Sequence, residues 1–190
     1  MCDNHGEEMN REKTKQIVTG AFMAALFGVL SVVNVYTGTM FDIIFIYLMT
    51  VALAYYTFKF NEKMAVLVLF TSTFILFLTG ELFFTLPLGI LYIYCLKKNI
   101  DGKLILRVYS MLKNFVVLFL LNSLLGLNTF TDAKDIYYSI VGFFPFLESD
   151  FLKNGMFIIL WIVLSFSEVY IIKVYTNLFI LRMNKNKMMK

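Results

Sequence analysis

Six long apolar stretches, joined by short connections whose charge alternates in sign, dominate this chain of 190 residues. A helix needs about 20 mostly apolar residues to cross a hydrocarbon core about 30 Å thick. The length of the chain therefore permits about six crossings. The apolar stretches predict spans at residues 17–36, 40–58, 64–79, 82–96, 104–127 and 155–181. Together they predict an all-α, polytopic membrane protein with six transmembrane helices in one bundle.

Composition supports this prediction. Hydrophobic residues make up 59% of the chain, and the mean hydropathy is +0.75. A water-soluble protein of this composition would expose a large apolar surface. Residues 1–16 form a polar tail that we expect in the cytoplasm, and residues 182–190 form a basic cytoplasmic tail. No room is left for a soluble catalytic domain.

Two regions of the predicted bundle differ from a simple row of full-length spans. Spans three and four are short, and they meet at Gly80 and Glu81. They either cross fully or form a re-entrant hairpin, and both alternatives leave the sidedness of the later spans unchanged. The connection 128–152 contains Pro145 and many aromatic residues, which predicts a short interfacial helix near 136–146.

The distribution of basic residues predicts the orientation, because Lys and Arg are retained on the cytoplasmic side during insertion. Only Lys134 and Lys153 fall on the predicted outer side. The inner side holds Arg11, Lys13, Lys15, Lys59, Lys63, Lys97, Lys98, Lys103, Arg107, Arg182, Lys185, Lys187 and Lys190. Both termini are therefore expected on the cytoplasmic side of a cell membrane, namely the bacterial cytoplasmic membrane. Cys2 and Cys95 then face a reducing compartment, so no disulfide is expected.

The predicted outer side is acidic. Its acids are Asp42, Glu81, Asp132, Asp135, Glu148 and Asp150, which with its two lysines give a formal charge of about −4. Such a surface favours a cationic or neutral solute over an anion. The same acids could equally serve only to solvate the loops.

Catalysis has little support in the sequence. The one histidine, His5, lies in the polar tail, so metal clusters and Ser-His arrangements lack the residues they need. Glu7 and Glu8 lie outside the predicted bilayer, and no phosphate-binding glycine loop is present. We expect no enzyme, no metal and no cofactor. Any energy from ATP would have to come through a partner chain.

Three charged residues lie inside predicted spans away from the span ends, namely Lys113, Glu168 and Lys173. Each costs about 2.5 to 3.5 kcal/mol at the centre of a bilayer unless it is paired or hydrated. If spans five and six are neighbours, Glu168 can pair with either lysine. The alternatives are an ion pair that locks two helices, lysines that extend to the inner interface, or a role in solute binding or coupling.

Small residues at four-residue spacing mark the first span. Gly20, Ala24 and Gly28 form one strip, and Ala21 and Ala25 form a neighbouring strip. Such strips allow two helix backbones to approach closely. By itself the pattern is typical of packing within a bundle.

In this position the strip resembles a motif of the S components of energy-coupling factor (ECF) transporters, which are membrane proteins with six helices and cytoplasmic termini. The Ala-x-x-x-Ala element in helix one of that family corresponds here to Ala21 and Ala25, preceded by a short basic tail. The resemblance covers nearly the whole chain in architecture and only the first span in motif. It implies capture of a vitamin or related micronutrient outside the cell. It also implies docking through helix one on a membrane coupling (T) subunit that works with two ATPase subunits.

The resemblance also implies where solute would bind, among the outer loops that join helices one and two, three and four, and five and six. The corresponding candidates are polar or aromatic residues at the outer ends of the spans: Asn34, Tyr36, Asp42, Glu81, Asn122, Asn128, Tyr137, Tyr138 and Trp161. Aromatic rings stack on flat heterocycles and amides orient their edges. Tyr and Trp also form the interfacial belt of any membrane protein.

Two other functions fit the same pattern. A non-catalytic scaffold protein of cell-envelope assembly, such as a rod-shape protein, has a similar number of spans and also lacks catalytic groups. A small channel or secondary transporter would need broken helices or a polar pore. Only Pro87 and the three charged residues inside spans support that function.

Overall fold

The computed structural model of the chain describes residues 4–38, 40–79, 84–116, 139, 143 and 150–188. These residues form six helices and no strand. The helices are α1 (Asn4–Tyr36), α2 (Asp42–Lys59), α3 (Glu62–Leu78), α4 (Leu86–Lys97), α5 (Lys103–Phe115) and α6 (Asp150–Met188). The prediction of an all-helical protein is confirmed for this part of the chain.

Two compact units divide the chain. One contains Met1–Gly102 together with Ile172–Lys190, and the other contains Lys103–Ile171. The first unit therefore holds α1 to α4 and the C-terminal part of α6. The second holds α5 and the N-terminal part of α6.

The first and last helices are longer than the spans predicted for them. α1 has 33 residues and begins at Asn4, whereas the apolar stretch begins at Ile17. α6 has 39 residues and continues to Met188. Glu, Lys, Arg and Met are strong helix formers, and no proline interrupts either polar end, so the helix continues past the apolar segment. The polar residues next to these spans are therefore helical where the structure describes them.

Within the first unit, α1 and α2 run antiparallel. The Tyr56 hydroxyl donates to the carbonyl of Gln16 at 2.9 Å, at one end of the helix pair. The Asn34 amide donates to the Asp42 carboxylate at the other end. A helical hairpin of this kind places Gln16, about 18 Å from the start of α1, beside the C-terminal end of α2.

α1 and α3 run parallel and pack closely along the small-residue strip. A Cβ atom added at Gly20 would lie 2.6 Å from Val68, so the glycine admits the neighbouring helix. Further along, the hydroxyls of Ser31 and Thr79 are hydrogen-bonded at 2.5 Å. Residue numbers therefore increase in the same direction along α1 and α3. This is expected if α2 returns the chain to the side from which α1 started.

α2 and α4 also run parallel. Gly89 lies so close to α2 that an added Cβ would be 2.5 Å from the carbonyl oxygen of Thr50. The Lys97 ammonium donates to the carbonyls of Thr57 at 2.7 Å and Phe60 at 3.2 Å. These carbonyls belong to the C-terminal end of α2, where a cation is favoured by the helix dipole.

Within the part of the chain that the structure describes, three helical segments are long and apolar enough to cross a membrane: Asn10–Tyr36, Asp42–Lys59 and Trp161–Met183. α3, with 17 residues, is about 26 Å long, and α4, with 12 residues, is about 18 Å long. α4 begins at Leu86 whereas the predicted span begins at Leu82, because Pro87 takes the first turn of the helix, where its missing N–H costs nothing. The described part of α4 is too short to cross a hydrocarbon core by itself.

In the second unit, α5 and the N-terminal part of α6 run antiparallel. Arg107 lies over the ring of Phe166, with 4.7 Å from the guanidinium carbon to the ring centroid. At the other end of the described part of α5, the rings of Phe115 and Trp161 lie 6.1 Å apart. Residues 117–127 of predicted span five and most of the predicted interfacial helix lie outside the described residues.

Candidate functional site

An ion pair that is almost fully buried connects α5 and α6. Lys113 donates to one carboxylate oxygen of Glu168, and the hydroxyl of Ser110 donates to the other at 2.5 Å. The side chains of Lys113 and Glu168 are only 10% and 7% exposed. Both carboxylate oxygens therefore have a donor, which offsets much of the cost of removing the charges from water.

The hydrogen bonds continue from this pair along the helix contact. The Asn114 amide donates to the Ser165 hydroxyl at 2.9 Å, and that hydroxyl donates to the carbonyl of Trp161 at 2.8 Å. The Trp161 indole N–H donates to the carbonyl of Met111 at 3.1 Å. We name the set Ser110, Lys113, Asn114, Trp161, Ser165 and Glu168 the polar seam. Its hydrogen bonds cross between two helices that are otherwise mostly apolar.

Sequence reasoning found the charged members of the seam but not Ser110, Asn114 or Ser165. A signal for them exists. Ser110 lies three and four residues before Lys113 and Asn114, and Ser165 lies three residues before Glu168. Such spacings put polar residues on one face of an apolar helix. A polar stripe on each of the predicted spans five and six is what the polar seam requires.

The third charged residue predicted inside a span, Lys173, lies in the first unit. Its ammonium is 5.9 Å from the centroid of the Tyr92 ring, within the range of a cation–π contact. The Tyr92 hydroxyl donates to the Asn177 side chain at 2.7 Å. The C-terminal part of α6 thus contacts α4 through an aromatic residue and an amide.

Two residues predicted to bind solute, Asn34 and Asp42, are brought together at the turn between α1 and α2. Asn34 is fully buried. Its amide nitrogen donates to Asp42, and its carbonyl oxygen accepts from the backbone N–H of Phe41 at 3.2 Å. This arrangement uses Asn34 to close the turn, so a structural role accounts for its hydrogen bonds.

The other predicted solute-binding residues are dispersed or outside the described part. Tyr36 is 87% exposed at the end of α1. Trp161 belongs to the polar seam, in the other unit. Five candidates lie outside the described residues: Glu81, Asn122, Asn128, Tyr137 and Tyr138. The described residues therefore assemble only Asn34 with Asp42, and the role of the set in binding stays a prediction.

The two strips of small residues on α1 have different surroundings. Gly20, Ala24 and Gly28 are buried, and Cβ atoms added at the two glycines would meet side chains of α3 at 2.6 and 2.7 Å. Ala21 and Ala25 are exposed. One strip therefore serves packing within the unit, and the other stays exposed, with Ala21 lining an open cleft between α1 and α3.

No family model matches the sequence, and no curated protein or solved structure matches it either. Any function proposed for this chain therefore rests on its own residues and contacts.

Proposed function

We propose that the chain is a six-span integral membrane protein of the cell membrane, with both termini in the cytoplasm. The antiparallel and parallel directions of α1 to α4 support this topology, since they agree with a chain that reverses direction at each connection. Lys59, Lys63, Lys97 and Lys98 then lie at one end of the first unit, as the retention of basic residues in the cytoplasm requires.

We propose further that it is the substrate-capture subunit of an ECF-type importer for a vitamin or related micronutrient. The exposed pair Ala21 and Ala25 is the observation that carries this proposal. Gly20 and Gly28 of α1 are used against α3, yet Ala21 and Ala25 are exposed, so a second membrane helix could approach them to backbone contact. A docked coupling subunit would account for a flat strip on a helix whose other exposed residues are large, such as Phe22 and Leu26.

The test is copurification in mild detergent with two matched changes to α1. Ala21→Leu/Ala25→Leu should leave the thermal unfolding of the chain unchanged, because both side chains are exposed. It should remove a membrane coupling subunit and two ATPases, identified by mass spectrometry, from the purified complex. ATP-dependent uptake of the small molecule that copurifies with the wild-type chain should be lost as well.

Control variants separate docking from folding. Val66→Phe/Thr73→Phe adds at least as much bulk at exposed positions of α3 and should keep the partners. Ala24→Leu, at a position only 2% exposed, should destabilise the chain by about 1 to 3 kcal/mol through overpacking. Retention of both ATPases by the Ala21/Ala25 variant would refute the docking surface. Copurification with cytoskeletal or wall-synthesis proteins would instead establish the scaffold alternative.

A further inference from the structure

An open apolar cleft of about 110 Å³ lies between α1 and α3, next to the basic residues of the two helices. Its walls include Ile17 and Ala21 of α1, and Leu67 and Thr71 of α3. Its base is formed by Gly20 and Tyr56. The Ile17–Ala21 and Leu67–Thr71 stretches each extend over about one helical turn, roughly 6 Å along the membrane normal. A cleft of this shape suits the upper part of a hydrocarbon chain.

Both walls continue toward the basic end with a lysine. Lys13 lies one turn before Ile17 on α1, and Lys63 lies one turn before Leu67 on α3. Both lysines are exposed. On each helix, one face is therefore apolar where it lines the cleft and carries a lysine at the mouth of the cleft.

The register of the two helices brings these lysines to similar depth. Gly20 lies opposite Val68, and Ser31 is bonded to Thr79, so the same offset holds along the parallel pair. Continuing it toward the N-terminus places Lys13 beside Asn61. Asn61 is the residue that caps α3, where its side chain accepts from the backbone N–H of Lys63 at 3.1 Å. Two cations and the positive end of a helix dipole thus meet at the cleft mouth.

We propose that this cleft binds one anionic phospholipid, with an acyl chain between α1 and α3 and the phosphate held by Lys13 and Lys63. Charge complementarity selects this occupant. An apolar slot with a cationic mouth matches an amphiphile with an anionic head, whereas a partner helix would leave the two lysines without a counter-charge. Glu12 and Glu62 lie beside the lysines in sequence, but the basic residues of this end outnumber them. The inference needs only the membrane placement of α1 and α3 and does not depend on a role in transport.

The test is native mass spectrometry of the full chain titrated with dioleoyl phosphatidylglycerol or dioleoyl phosphatidylcholine. Each Lys near an anionic lipid contributes about a fivefold gain in affinity. The wild-type chain should therefore bind the phosphatidylglycerol about 30-fold more tightly than the phosphatidylcholine. Lys13→Gln/Lys63→Gln should reduce that preference to about twofold or less. Lys98→Gln/Arg182→Gln removes the same charge away from the cleft and should keep the preference.

A second pair of variants tests the apolar part of the site. Thr71→Phe fills the cleft and should weaken binding of both lipids at least about tenfold, as expected for the loss of about two buried methylene groups. Thr73→Phe adds the same ring at an exposed position of α3 outside the cleft and should have no effect.

Three results would overturn the proposal. They are equal affinity of the wild-type chain for the two lipids, equal losses in the two charge variants, and unchanged binding by Thr71→Phe. A change of oligomeric state in Thr71→Phe, with lipid binding intact, would assign the cleft to a second copy of the chain instead. Thermal unfolding of every variant shows whether each remains folded.

Discussion

The surface that α1 buries against α3 and the surface that α5 buries against α6 are built from opposite kinds of side chain. The first uses glycine and alanine, which let the two backbones approach, with Val68 and Ile75 of α3 filling the space above the two glycines. The second uses a paired Lys113 and Glu168 with hydrogen bonds on both sides. In lipid there is no hydrophobic drive between helices, so both close packing and interhelical hydrogen bonding can hold them together.

The two kinds of contact respond differently to change. A close-packed contact loses stability when a side chain is enlarged, because neighbouring backbones cannot yield. A charged contact loses stability when one partner is removed, because the other charge is left buried. Substitutions in each unit can therefore distinguish the two.

The largest effect is expected from Glu168→Leu, which leaves the Lys113 cation without its counter-charge. Removal of one partner of a buried pair costs about 3 to 5 kcal/mol. The chain has a single tryptophan, Trp161, which lies in the polar seam. Its fluorescence during unfolding by sodium dodecyl sulfate in mixed micelles measures the loss.

The matched control is Lys113→Met/Glu168→Leu, which removes both charges together. Its stability should lie within about 1 kcal/mol of the wild-type value, since well-packed apolar residues can replace a buried pair without loss. Equal stability of the single and double variants would show that Lys113 does not depend on Glu168, and the contrast between the two surfaces would fail.

An intermediate effect is expected from Gly89→Ala in the first unit. The new Cβ would lie 2.5 Å from the backbone carbonyl of Thr50, which cannot rotate away. Overpacking of this kind costs about 1 to 3 kcal/mol, more than the roughly 1 kcal/mol that alanine gains as a helix former. Gly155→Ala, which meets nothing within 4 Å, is the control and should be neutral or stabilising. Thermal unfolding followed by circular dichroism compares them, and equal behaviour of the two would contradict close packing of α2 and α4.

The smallest effect is expected from the hydrogen bond between Asn114 and Ser165. A double-mutant cycle with Asn114→Leu and Ser165→Ala should give a coupling energy of about 0.6 kcal/mol, the average for interhelical hydrogen bonds in membranes. The cycle uses the same Trp161 fluorescence. A coupling energy near zero would mean that this hydrogen bond does not stabilise the polar seam, and one above about 2 kcal/mol would make the bond as important as the charges.

The helical class could be predicted because apolar stretches of this length have few alternatives in a bilayer. The ends of the helices could not be predicted, since hydropathy marks where an apolar segment ends and not where a helix ends. α1 therefore begins in polar sequence, at Asn4, and α6 continues into polar sequence, to Met188. α4 starts late because Pro87 is tolerated only in the first turn.

For the candidate site, the sequence shows the types and spacing of the residues, but it does not show which residues contact one another. Lys113 and Lys173 were equivalent candidates for Glu168 in sequence, and only the packing of α5 on α6 selects Lys113. Likewise the two small-residue strips of α1 look alike in sequence. Burial of Ala24 and exposure of Ala21 distinguish them.

Local sequence is enough to establish that the described chain is helical and apolar enough to cross a membrane, because these properties follow from composition and from the cost of unpaired backbone groups in lipid. Helix packing, in contrast, selects which face of α1 is buried and which cation neutralises Glu168. Those outcomes depend on helix rotation and register, which arise from contacts between residues far apart in the chain.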